Sequence, residues 1–143
     1  MFIESIAPAV VFVLVLATQT AYCAVQGIVF SNDSRTYSNW GDLLLRSHFS
    51  FSTLFGEAKT TYPIQLYSAW IAVVAVCKLI FGGHWSTAIV ALNIVASSAA
   101  AALLVSLVER ISGSRVASLA ATILYLCAYD VFSWSRYVLS DPT

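Results

Sequence analysis

The chain has 143 residues, 59% of them hydrophobic and 10% charged, with seven basic and seven acidic side chains and a mean hydropathy of +0.83. That composition excludes an ordinary soluble domain. The zero net charge excludes the basic field of a nucleic-acid-binding surface, and no Lys/Arg run suggests a polybasic lipid-binding tail. The expected class is an all-α integral membrane protein.

From Ser5 to Asn32 there are 28 residues without a charge, more than the roughly 20 needed to cross a hydrocarbon core. A first transmembrane helix is expected over about 6–30. Glu4 stands where a secretory signal would carry basic residues, and the apolar run is too long for one, so the span should be retained. Gln19, Thr20 and Gln26 in its second half predict that this half faces protein or a polar cavity.

Ser31-Asn32-Asp33-Ser34-Arg35-Thr36-Tyr37 ends the apolar run abruptly. Here a carboxylate can meet water while its neighbours stay in an apolar setting. The segment from Ser31 to Tyr62 holds Asp33, Arg35, Asp42, Arg46, Glu57 and Lys59, six of the fourteen formal charges. Tyr37, Trp40, Gly41, Leu44 and Leu45 recur at helical spacing, with Arg35, Asn39, Asp42 and Arg46 on the other face. This predicts a short amphipathic helix lying on the membrane surface. Gly56 with Glu57 predicts a turn, and Tyr62-Pro63 the start of a helix, with proline where its missing N–H costs nothing.

Ile64 to Phe81 is apolar but interrupted by Lys78, and about 18 residues is the borderline for a crossing. Thr87 to Val108 is a clear second span, with small residues at Ala96 to Ala102 that allow close helix approach. Glu109 to Arg115 reads as a charged loop, and Val116 to about Ser133 as a third apolar run, with Asp130 near its end and Trp134, Arg136 and Tyr137 at aromatic-belt depth. A cytoplasmic loop containing Arg110 and Arg115 fits the positive-inside bias only if 64–81 does not cross. The expectation is therefore three transmembrane helices (about 6–30, 87–108 and 116–134). One or two juxtamembrane or re-entrant helices lie in an external loop over 31–82, the cytoplasmic loop is 109–115, and a second external loop starts at 135–143. Four transmembrane helices are the alternative.

Cys23, Cys77 and Cys127 lie far apart in apolar runs and read as packing residues, not disulfides or ligands. His48 and His84 lack a second His or Cys at ligand spacing. With no phosphate loop, metal spacing or nucleophile elbow, the carboxylates are the candidates for chemistry.

Asp33-Ser34-Arg35-Thr36-Tyr37 after the first span, Tyr62-Pro63-Ile64 opening an apolar helix that ends at Phe81-Gly82, Arg110 to Arg115 between two spans, and Tyr137-Val138-Leu139-Ser140-Asp141-Pro142 together resemble the N-terminal part of GT-C glycosyltransferases. The likeness covers essentially the whole chain. It is similar to the branch (glycosyltransferase family 39-like) that holds protein O-mannosyltransferases, aminoarabinose lipid A transferases and RgtA/B/C/D-like bacterial enzymes. In this chain Ser34, not a second acid, follows Asp33, and Tyr62, not a proline, precedes Pro63.

The resemblance implies inverting transfer of a sugar from a polyprenyl-phosphate donor to a glycan, lipid or protein acceptor on the non-cytoplasmic side of a bacterial inner membrane. Asp33 would be the general base and Asp141 the second acid of the site. Arg35, Lys59 and Arg136 would bind the donor phosphate, and Tyr37 and Tyr62 would line the substrate pocket. No cofactor or metal is assigned from the residues; some relatives place a divalent cation between such acids, which leaves metal use open. Enzymes of this type have many more spans, so a fragment without transferase activity of its own is expected. The alternatives to catalysis are an Asp33 that simply caps a helix and a non-catalytic polytopic or transporter-like membrane protein.

The topology makes the first prediction. With the native cysteines replaced by serine, Asp33→Cys and Asp141→Cys should react with an impermeant maleimide from one side of the membrane and Ser112→Cys from the other. Reaction of positions 33 and 141 from opposite sides would refute the three-span arrangement.

Overall fold

The computed structural model describes residues 8–57 and 67–138. Its helices are α1 (Pro8–Gln26), α2 (Asn32–Arg46), α3 (Phe51–Glu57), α4 (Ser68–Phe81), α5 (Trp85–Ser112), α6 (Arg115–Cys127) and α7 (Tyr129–Ser135), with a 3-10 turn at Gly82–His84 between α4 and α5. The chain forms two compact units. One comprises 1–27 and 90–136, the other 28–89 and 137–143, and α5 contributes to both.

In the first unit, Val11 and Val15 on α1 pack with Ala101 and Val105 on α5, and Tyr125 and Leu126 of α6 lie against them. Each pair is spaced i, i+4, so each presents one stripe. Gln19 continues the α1 stripe and is fully buried. Its Nε2 donates to Ser97 Oγ at 2.8 Å, and Tyr125 OH donates to the Ser97 carbonyl at 2.9 Å. These bonds tie three helices through polar groups inside an apolar core. Of the three polar residues expected to face protein, Gln19 does so; Thr20 and Gln26 are exposed.

The expected charged loop 109–115 is almost entirely helical. Glu109 to Ser112 complete α5, and Arg115 starts α6. Gly113, at φ +61°, donates its N–H to Glu109 O at 2.9 Å, a left-handed helix stop that glycine adopts without steric cost. Ser114 then caps α6 by accepting from Ala117 N at 3.3 Å, so two residues suffice for the reversal.

The third apolar run does not form one helix. α6 has 13 residues, about 20 Å of rise, short of a 30 Å hydrocarbon core. Ala128 then turns extended, at φ −71° and ψ 97°, before α7 begins. Alanine is the strongest helix former, so nothing local in the sequence announces this break.

The second unit is organised by α2 lying on α4. Tyr37, Trp40, Gly41 and Leu44 are buried, while Arg35, Asn39 and Arg46 are exposed, as the sequence periodicity predicts. The apolar face, however, is turned to Ile71, Val74 and Ala75 of α4, where a membrane-surface helix was expected. Gly41 makes the close approach: a Cβ there would stand 3.0 Å from Val74 Cγ1.

The expected turn at Gly56 and Glu57 is instead the last turn of α3. The reversal comes earlier, at His48 and Phe49, both with positive φ. Phe49 N donates to Leu44 O at 2.8 Å and Ser47 N to Leu43 O at 2.9 Å. The final carbonyls of α2 are thereby satisfied without glycine or proline. The helix start expected at Tyr62-Pro63 lies outside the described residues, and the described helix begins at Ser68.

Among the described residues, two helical stretches are long and apolar enough to cross a membrane by length and composition, Pro8–Gln26 and Ser68–Ser112. The second is interrupted at Gly82–His84, and α5 alone supplies 28 of its residues.

Because Val74 is β-branched and rigid, Gly41→Leu should force α2 off α4, at a cost of about 1–3 kcal/mol. Thermal unfolding in detergent should show a lower midpoint; an unchanged midpoint would contradict the close approach.

Candidate functional site at the start of α2

Ser31 is the N-cap of α2, with extended backbone at φ −86° and ψ 172°. Its Oγ accepts from Ser34 N at 3.2 Å, and Ser31 N donates back to Ser34 Oγ at 3.0 Å. This reciprocal pair is a capping box in which serine replaces the usual Glu or Gln, and Ser34 is fully buried within it. The cap role open to Asp33 is thus taken by Ser31, two residues earlier.

Asp33 lies in the first turn of α2, where a negative side chain is favoured by the helix dipole, and it is exposed. No hydrogen bond or ion pair joins its carboxylate to another described residue. Arg35 is also exposed, but a spacing of two residues puts it on a different helix face from Asp33. Tyr37 is buried, its ring 5.5 Å from Trp40 in an edge contact and 5.3 Å from Tyr67. It is a packing residue between α2 and the start of α4, with little ring surface left for a substrate.

Arg136 sits in the other unit, directly after α7. Its Nη1 donates to Gln26 O at 3.2 Å, and its guanidinium lies 5.8 Å from the centroid of Tyr22. A cation on the last carbonyl of α1 complements that helix terminus, so Arg136 has an anchoring task on α1. Asp141, Lys59 and Tyr62 lie outside the described residues.

The backbone brings together two segments that the sequence alone could not join. Val29 and Tyr137 form an isolated parallel bridge, and Val138 N donates to Val29 O at 3.1 Å. In the sequence Asp33 follows Val29 by four residues, and Ser140-Asp141, outside the described residues, follow Tyr137. Sequence reasoning also missed the partner of Lys78. Its Nζ contacts Asp42 Oδ1 at 2.7 Å; a lone lysine in an apolar helix signals that a partner is needed, but not which acid supplies it.

Among the described residues no three His, Cys, Asp or Glu side chains gather into a metal-binding group, and Cys23, Cys77 and Cys127 are free thiols. No family model matches the chain, and no significant similarity to a curated protein or a solved structure is found.

The capping box makes a local prediction. Ser31→Ala should weaken the first turn of α2 by about 1 kcal/mol, seen as faster amide exchange at 33–35, while an unchanged exchange pattern would show the cap to be idle.

Proposed function

We propose that the chain carries the acceptor-activating corner of a membrane glycosyltransferase that takes a sugar from a polyprenyl-phosphate donor. The observation that carries this reading is the Val29–Tyr137 bridge, which pairs the segment leading to Asp33 with the one leading to Asp141. In the sequence Asp33 follows Val29 by four positions and Asp141 follows Tyr137 by four, and in this reading the two acids serve one site.

A membrane setting is supported by the helices themselves. Only 17% of the apolar window in α1 and 33% of that in Ser68–Ser112 is buried, whereas the core helix of a soluble protein is covered on most sides. Leu103, Leu124, Ile111 and Val116 are each at least 70% exposed, an apolar surface that lipid would cover.

In the proposed reaction the Asp33 carboxylate accepts the proton of the acceptor hydroxyl as that oxygen bonds to the anomeric carbon. The bond from that carbon to the phosphate oxygen breaks, its electron pair stays on the lipid phosphate, and the configuration inverts. Exposure of Asp33 and its release from capping suit a group that must meet an incoming hydroxyl. Arg35 is the described cation best placed to meet the phosphate, since Arg136 is engaged with α1; Lys59 and Asp141 complete the proposed set.

Donor binding tests this without requiring turnover. In nanodiscs, a photoactivatable polyprenyl monophosphate should label the chain within residues 28–46. Excess unlabelled polyprenyl phosphate should compete and phosphatidylglycerol should not, and Arg35→Ala should lower labelling about tenfold, the scale of one lost charge-assisted bond. Labelling competed equally by both lipids would overturn the reading.

A further inference from the structure

Lys78 is the single charged residue of α4, an otherwise apolar helix, and its side chain is only 11% exposed. An ammonium group has three N–H donors and no acceptor. All three find α2: Asp42 Oδ1 at 2.7 Å, Ser38 O at 2.9 Å and Ser38 Oγ at 2.8 Å. The ammonium also lies 4.9 Å from the centroid of the Trp85 ring, whose π face complements a cation.

Ser38 and Asp42 are one turn apart, and Ser34 of the capping box is one turn further back along the same line. Every bond that holds the Lys78 charge therefore falls on the stripe of α2 that ends beside Asp33 and Arg35. The apolar contacts around Gly41 and Leu44 are non-directional and would tolerate a small slide or roll of α2 over α4. The ion pair and its two serine bonds are directional, and they fix one register. From Asp42 to Asp33 the helix rises about 14 Å, so a turn of α2 at the ion pair moves both exposed side chains.

We propose that the Lys78–Asp42 pair, with Ser38, is a latch that sets the register of α2 on α4 and makes Lys78 and Asp42 positioning residues for Asp33 and Arg35. The second half of this inference rests on the donor-binding reading above; the first half does not. Asp42 is 49% exposed, so solvent screens the ion pair, and Lys78 keeps two further bonds to Ser38.

The test combines two readouts on the full chain in nanodiscs: amide hydrogen exchange over residues 33–46, and labelling by the photoactivatable polyprenyl monophosphate. Lys78→Met keeps the length and apolar stem but removes the charge, and it should speed exchange across α2 about tenfold, the scale of lost hydrogen bonds to a charged group. Asp42→Asn should speed it less, and Asp42→Glu, which retains the carboxylate, should restore most of the protection. Donor labelling should fall in the same order and be rescued by Asp42→Glu.

Exchange unchanged in Lys78→Met overturns the latch. Faster exchange with undiminished labelling overturns the positioning role and leaves a purely structural tie. Absence of specific labelling in the unsubstituted chain refutes the donor-binding reading and with it the positioning role, while the latch still stands or falls on exchange.

Discussion

An ammonium group on an apolar helix must find hydrogen-bond acceptors, and in this chain that requirement organises a whole unit. Lys78 shares α4 with the buried Ile71, Val74, Ala75 and Cys77, none of which offers an oxygen to accept its protons. A lysine left to itself in such a place would extend towards water or headgroups. Here the acceptors come from α2, so an amphipathic helix that could have floated on a membrane surface is drawn onto its neighbour. Its apolar face and the close approach at Gly41 then complete the contact that the charge has oriented.

Placing α2 in this way divides its residues by task. The buried stripe of Tyr37, Trp40, Gly41 and Leu44 packs; Ser38 and Asp42 hold the cation; Ser31 and Ser34 close the first turn. Asp33 and Arg35 are left outside all three tasks, exposed in the first turns of α2, where the helix dipole favours the Asp33 charge.

Much of this was legible in the sequence. The period of the apolar residues over 37–45 located α2 and its buried face, and the clear apolar run from Thr87 to Val108 located α5. The failures share a cause, which is that helix ends are decided by hydrogen-bond satisfaction and not by hydropathy. Glu109 to Arg115 read as a loop because it is charged, yet charges at the end of a helix are no obstacle to it and one glycine with one serine makes the reversal. His48 and Phe49 carry no turn signal, and Ala128 carries the opposite of one. The Asp42–Lys78 pair was hidden for a different reason: its members are 36 positions apart, and nothing in either helix alone specifies which cation meets which acid.

The two acids of the proposed site obey the same logic at longer range. Asp33 and Asp141 are 108 positions apart in the sequence, and each follows by four positions a residue, Val29 or Tyr137, that long-range pairing brings together. The Val29–Tyr137 bridge does this with one hydrogen bond at 3.1 Å, contributing about 1 kcal/mol at most, too little to hold the segments by itself. Its pairing therefore depends on the rest of its own unit, which includes α2, whose register the ion pair to α4 defines. Arg136 has an anchoring task on α1 within its own unit, while Arg35 stands exposed on α2.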